Sequence, residues 1–283
     1  MKIAITYICT GKYSIFWPEF YKTAETYFYP SIEKQYFVFT DDEELISQLS
    51  ENPQVYTFFQ RKAGWPYDTL MRFNIFCTIQ DVLKDYKYCY FWNANTRFIK
   101  VVDETVIPFP SQGEGLILWR HTTTFDDDSA ATFSVERNPC SMAYIPEGVK
   151  CHEYGGGFFG GTAEAFLKMS RQLRDNIAKD LSNGIIAVWH DQSHIQHYAT
   201  QHSFCEVPRN VICSEEYIDD RNPYVIFLNK KHYGGMYGLR EMSLAFRIRV
   251  FVVNVFRRIT KVLGIHKVAK SIYQKIFLDK NCN

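Results

Sequence analysis

The chain has 283 residues, 46% of them hydrophobic and 17% aromatic, which supports a sizeable core and excludes a disordered polypeptide. A formal net charge of +1 argues against a globally basic nucleic-acid binder, so no nucleic-acid partner is expected. The eight cysteines lie scattered with no Cys-x-x-Cys pair, pointing to free thiols in a reducing compartment rather than a zinc site or a secreted disulfide framework.

Residues 2–9 form a β-rich run that predicts a first strand. No signal peptide precedes it and no uncharged apolar run is long enough to span a bilayer, so a cytoplasmic protein is expected. A loop at 10–13 leads to a helix at 16–28, with Pro18 tolerable in its first turn. Residues 35–40 predict a second strand, followed by an acidic helix start at 41–44, and residues 54–60 a third strand. Leu70, Phe73, Phe76, Ile79 and Leu83 keep helical spacing through 68–83, leading into a strand at 88–92. This alternation predicts an α/β fold with a mostly parallel sheet and a ligand above the carboxyl ends of its strands. The fourth strand ends in Asn93-Ala94-Asn95, two short hydrogen-bonding side chains spaced to face one side.

Residues 115–119 predict a strand ending at His121, and the polar stretch 125–140 an ordered loop or short helix. The run 155–161 is too glycine-rich for a regular element and suits backbone that approaches a ligand or bends tightly. It lacks the Gly-Lys-Ser/Thr of a P-loop and does not follow the first strand, as a dinucleotide fingerprint would. Phe166, Met169, Leu173 and Ile177 mark a helix, Asn183-Gly184 interrupts it, and 185–202 reads as helical again. Within that stretch His190 and His194 are spaced i, i+4 like zinc-protease ligands, but Asp191 stands where the general-base Glu belongs, so no metal ligands are assigned. Trp65 reads as a loop anchor, and residues 224–228 as a last short strand.

No linker appears before about residue 235, which divides the chain into a domain at 1–235 and a helical tail at 236–283. The tail carries Arg247, Arg249, Arg257, Arg258, Lys261, Lys267, Lys270 and Lys275 interleaved with Phe246, Val250, Val253, Phe256, Ile259, Val262 and Leu263. Such a basic amphipathic helix suits an anionic membrane surface, so the expected location is cytoplasmic and peripheral to the inner face of the cell membrane.

Five ordered segments together resemble glycosyltransferase family 6, the retaining α-1,3-transferases that include the histo-blood group A and B enzymes. They are Tyr36-Phe-Val-Phe-Thr-Asp41, Ala143-Tyr-Ile-Pro146, Tyr154-Gly-Gly-Gly-Phe-Phe-Gly-Gly161, Asn183-Gly-Ile-Ile-Ala-Val-Trp-His-Asp191 and Ser214-Glu-Glu-Tyr217, within a similarity spanning 2–233. The resemblance implies a GT-A fold, an α/β nucleotide-sugar-binding sheet with an attached acceptor-binding half. It implies that Ile8, Thr10 and Tyr13 contact uridine, and Arg72 the donor phosphate or sugar. Gly155, Gly156 and Gly157 would lie by the donor sugar, where small residues accompany N-acetylgalactosamine because an acetamido group needs room. UDP-GalNAc is therefore the expected donor, with UDP-galactose second. His121, Trp189 and Asp220 fall at acceptor positions, and a fucosyl-α-1,2-galactoside is the expected acceptor.

Two departures from the family pattern carry consequences. Asn93-Ala94-Asn95 replaces Asp-x-Asp, and neutral amides give up much of the attraction that Mn²⁺ or Mg²⁺ has for charged oxygens. Transfer without a divalent metal follows, as in bacterial members. Asn93 and Asn95 would then hydrogen-bond the donor, and Lys230 or Lys231 would offset charge on the departing UDP. Gln192 replaces the Glu of Trp-His-Asp-Glu-Ser, leaving Asp191 to grip a donor-sugar hydroxyl and a neutral amide where the family has its chemical carboxylate. Low activity is expected of this form, with Gln192→Glu raising kcat at least about tenfold, roughly 1.4 kcal/mol of barrier. The rival reading is a sugar-nucleotide- or glycan-binding module that has lost catalysis.

Overall fold

The computed structural model describes residues 1–110, 115–121 and 135–241. In chain order the strands are β1 (Lys2–Ile8), β2 (Glu33–Thr40), β3 (Val55–Phe59), β4 (Tyr88–Trp92), β5 (Thr96–Phe98), β6 (Leu116–Arg120), β7 (Tyr154–Thr162), β8 (Cys205–Glu206), β9 (Ile212–Ser214) and β10 (Val225–Phe227). The helices are α1 (Trp17–Tyr27), α2 (Glu43–Leu49), α3 (Tyr67–Leu70), α4 (Arg72–Thr78), α5 (Gln80–Leu83), α6 (Ala163–Ser182), α7 (Asp191–Ala199), α8 (Ile218–Arg221) and α9 (Gly235–Leu239).

Seven strands form one sheet in the order β3-β2-β1-β4-β7-β6-β8, and β5-β10-β9 form a smaller one. The first four strands of the large sheet are parallel, as the β-α-β-α-β-α-β order predicts. β7 then runs antiparallel to both β4 and β6. Period-two alternation splits the apolar residues between two cores. Ile3, Ile5, Tyr7, Tyr90 and Trp92 face one, while Ala4, Phe37, Phe39, Cys89 and Phe91 face the other. Burial on both faces is what a parallel sheet flanked by helices requires. The predicted stripe Phe166, Met169, Leu173 and Ile177 places α6 on the second core. Asp42 caps α2 by accepting from Leu45 N, and Thr162 caps α6 by accepting from Ala165 N.

Four expectations need correction. The stretch 155–161 is not a loop but part of β7, because neighbouring atoms occupy the space its side chains would fill. A Cβ on Gly160 would sit 2.3 Å from the Tyr90 ring, and one on Gly161 2.2 Å from the Gly115 carbonyl oxygen. The helix expected over 68–83 is three short ones, broken at Met71 and Ile79, so that α4 begins with Arg72 turned inward. The helix expected over 185–202 begins only at Asp191. Side chains claim the preceding amides: Val188 N donates to Glu136 Oε2 and Trp189 N to Ser193 Oγ, and His190 sits at φ 53°. Finally, Cys9, Cys77, Cys89, Cys151 and Cys213 are free and buried, but Cys140 is disulfide-bonded.

Beyond residue 235, Leu239 of α9 is buried in the first core. The basic tail beyond residue 241 and most of the stretch 125–140 lie outside the described residues. Among the described residues no helix is long and apolar enough to cross a membrane.

Candidate active site

Strand register brings four chain segments to one end of the large sheet. Tyr7 pairs with Trp92, so the carboxyl ends of β1 and β4 release Thr10 and Asn93–Asn95 side by side. Trp92 pairs with Phe158, which sets the amino-terminal glycines of antiparallel β7 at the same edge. Arg120 pairs with Tyr154, adding His121. The register slips between Leu118 and Arg120, and the intervening Trp119 faces the cleft formed there, as a bulge beside a binding site allows. The cleft has a volume of about 470 Å³. Its position is the one in which open α/β sheets hold ligands.

Ile8, Thr10 and Tyr13 line the cleft together with Asn93, Ala94, Asn95 and Gly155–Gly157. His121, Trp189, His190, Asp191 and Gln192 line it as well. Four basic residues also line it: Lys62, Arg72, Lys230 and Arg240. Burial together with crowding of like charge pushes the Lys230 ammonium down to about 8, with Arg240 and Arg72 as the charged contributors. Lys230 lies 5.3 Å over the Tyr13 ring, and the Arg240 guanidinium 5.3 Å over Trp65. Lys62 is paired with Glu241 and Arg72 with Asp191, so Lys230 and Arg240 weigh most in drawing an anionic ligand to the cleft.

Arg72 and Asp191 form the buried heart of the site. Nε of Arg72 lies 3.1 Å from Oδ2 of Asp191, with both side chains almost wholly buried. The same guanidinium donates to the carbonyls of Thr69 and Gly156 and stacks 4.7 Å over Phe91. Burial lifts the Asp191 carboxyl to about 6 despite Arg72, which pulls it down. Burial also pushes His190 down to about 4, with Arg240 reinforcing the shift.

The amides at the end of β4 are already engaged. Asn93 Nδ2 donates to Asn95 Oδ1 at 2.8 Å, and Asn95 Nδ2 donates to the Leu228 carbonyl at 2.7 Å. Tyr7 Oη holds the turn by donating to the Ala94 carbonyl. Asn95 is buried and used at both ends, so this pair does not fit a divalent cation. Among the described residues no cluster of three or more His, Cys, Asp or Glu could hold a metal. The i, i+4 histidines do not converge: His190 lines the cleft, whereas His194 is buried 3.6 Å from Asp180.

The glycines do not simply vacate space for a substituent. A Cβ on Gly155 would strike the Trp119 ring at 2.3 Å, and one on Gly157 the Phe227 ring at 2.7 Å. A Cβ on Gly156 would meet Asp191 Oδ2 at 2.9 Å. Glycine is needed here for the strand to pass under two aromatic rings and the ion pair.

Most residues expected in the site from the sequence meet in this cleft, but two do not. Lys231 is exposed and points to Glu216 at 3.4 Å, because the 3₁₀ turn Lys230–Tyr233 sends successive side chains to different sides. Asp220, on α8, is exposed and outside the cleft lining. Glu215 and Glu216 accept from Asn229 and fix the turn that presents Lys230, which gives the motif Ser214-Glu-Glu-Tyr217 a structural task. Sequence reasoning missed Lys62, His190, Met236 and Arg240 as cleft residues, and set Trp65 aside as an anchor. Of these, Trp65 ahead of Pro66 and His190 within the segment 183–191 carried a signal in the sequence.

A doubly flanked α/β sheet with a cation-lined cleft above its strand ends is a GT-A-like, nucleotide-sugar-using architecture. The chain belongs to glycosyltransferase family 6, whose model matches residues 1–231. It is 28% identical over 234 residues to the O-antigen biosynthesis glycosyltransferase WbnI of Escherichia coli, covering 82% of this chain and 96% of that protein. It is 26% identical over 230 residues to globoside alpha-1,3-N-acetylgalactosaminyltransferase 1 of Gallus gallus, covering 79% of this chain and 63% of the relative. It is 27% identical over 222 residues to histo-blood group ABO system transferase 1 of Rattus norvegicus, covering 77% and 61%. The match thus takes in nearly all of the bacterial relative and about three-fifths of the animal ones. A transferase that uses a nucleotide-sugar donor and a glycan acceptor follows from the family.

Proposed function

We propose that the chain moves N-acetylgalactosamine from UDP-GalNAc to O3 of a terminal galactoside, with retention at the anomeric carbon and without a divalent metal. UDP-galactose is the second candidate donor, and a fucosyl-α-1,2-galactoside the preferred acceptor. The observation that carries this reading is the pair Lys230 and Arg240, backed by Lys62 and Arg72 in their ion pairs with Glu241 and Asp191, in a cleft whose strand end bears amides instead of carboxylates. The donor's C1–O bond breaks with its electron pair leaving on UDP, and these cations stabilise the diphosphate as that charge develops. The acceptor oxygen bonds to C1 and its proton passes to the departing phosphate.

Asn93 meets the donor by hydrogen bonding, with Asn95 holding it in place. Asp191 accepts from a donor-sugar hydroxyl while Arg72 holds its carboxylate. Trp189 and His121 receive the acceptor. The name of one animal relative, the globoside alpha-1,3-N-acetylgalactosaminyltransferase 1 of Gallus gallus, supports both the α-1,3 linkage and N-acetylgalactosamine. Position 192 carries a neutral amide in place of the carboxylate that the family resemblance leads one to expect.

The test is product formation from UDP-GalNAc and 2′-fucosyllactose in EDTA, with UDP-galactose and unfucosylated lactose in parallel. Activity in EDTA that Mn²⁺ does not raise is the expected result. Activity that vanishes in EDTA and returns with Mn²⁺ refutes the metal-free mechanism. Silence with every donor and acceptor refutes the enzymatic reading in favour of a binding module.

A further inference from the structure

Gln192 lacks the charge that the family places there, and the fold sets a carboxylate against it. Glu153, immediately before β7, accepts from Gln192 Nε2 through Oε1 at 3.2 Å. Its backbone carbonyl accepts from His121 N at 2.7 Å, and its negative charge bears on the His121 imidazole. His121 leaves the end of β6 and Gln192 sits in the first turn of α7, and both line the cleft. Glu153 is half-buried between them, with the Arg72–Asp191 ion pair adjoining Gln192.

An amide carries its donor and acceptor on opposite branches, and the two orientations have similar shape. Facing a donor sugar whose anomeric carbon turns cationic, the NH₂ end is unfavourable and the oxygen end favourable. A neighbouring carboxylate only accepts, so it can be met only by the NH₂. Reversing the amide would set oxygen against oxygen. The charge-assisted bond also polarises the amide and makes its oxygen more negative.

We propose that Glu153 is a positioning residue for the transfer step. It fixes the Gln192 amide with Oε1 turned toward the donor sugar, and supplies from behind it the negative charge missing at position 192. This rests on the transferase reading above. It also reverses the simple gain expected of Gln192→Glu, because that substitution sets two carboxylates in contact, where they share a proton instead of both ionising.

The experiment compares the parent with E153Q, Q192E and the charge-swapped E153Q/Q192E, measuring kcat and KM for UDP-GalNAc across about pH 5.5–8.5. E153Q should lower kcat at least about tenfold with donor KM within about twofold, since a glutamine can satisfy Gln192 in either orientation. Q192E alone should show no tenfold gain near pH 7 and should acquire a limb from a displaced carboxyl titration. The swapped variant should match or exceed the parent and lack that limb. A parent-like kcat in E153Q, or a tenfold gain in Q192E with an unaltered profile, overturns the proposal while leaving the transferase reading intact. A parent with no turnover on any donor overturns the transferase reading. NMR then still decides the contact: E153Q should shift the Gln192 side-chain NH₂ signals and lower the His121 titration midpoint, and no change in either overturns it.

Discussion

Replacing Asp191 by Asn tests which force governs the heart of the site. Asp191 is 2% exposed, and Arg72 lies 3.1 Å away, yet burial outweighs that neighbour and lifts the carboxyl from 3.8 to about 6. Each pH unit of displacement corresponds to about 1.36 kcal/mol, so the ionised carboxylate costs the folded state about 3 kcal/mol relative to its protonated form. The sign follows from proton uptake. Between the ordinary and displaced values the folded protein binds the proton more tightly than the unfolded one. Stability from this group is therefore greatest at low pH, falls as pH rises through that window, and levels off above about 6. The D191N side chain has no such titration, so comparing the two proteins cancels the other acidic groups. Urea unfolding of parent and D191N from about pH 4 to pH 7 should show the parent losing roughly 2 kcal/mol relative to the variant. A constant difference, or a parent that gains on D191N with rising pH, would refute the reasoning and make the Arg72 charge dominant.

Lys230→Met should weaken UDP binding by about tenfold or more near pH 7, measured by calorimetry, through loss of a charge-assisted contact with the diphosphate. Because the Lys230 ammonium is pushed down to about 8, parent affinity should fall as pH rises through that value, and K230M should lack the dependence. Gly160→Ala should destabilise the fold by roughly 1–3 kcal/mol through overpacking, since its Cβ would lie 2.3 Å from Tyr90 and 2.8 Å from the Cys89 carbonyl oxygen. Unchanged thermal unfolding in G160A would mean that β7 shifts freely, against its pairing on both sides.

Much of this protein was legible in the sequence because the relevant signals are local. Runs of strand-forming residues located β1, β2 and β4 and 3.6-residue spacing located α6, and the strand–helix alternation implied the parallel half of the sheet and the end where ligand binds. The amides at 93 and 95 and the neutral residue at 192 are substitutions that can be read in place. What the sequence left open depends on atoms far apart along the chain. The glycines of β7 looked like a loop because composition reports their freedom, whereas the rings of Tyr90, Trp119 and Phe227 dictate why they are small. Lys230 and Lys231 are adjacent and chemically alike, and only the turn separates the cation in the cleft from the one in solvent. Arg240 lay in a stretch read as tail, yet α9 folds back and carries it into the cleft. Glu153 and Gln192 are 39 residues apart, and no spacing rule pairs them. Local patterning determines elements and their order, but a site is fixed by which side chains the packed sheet brings within a hydrogen bond of one another.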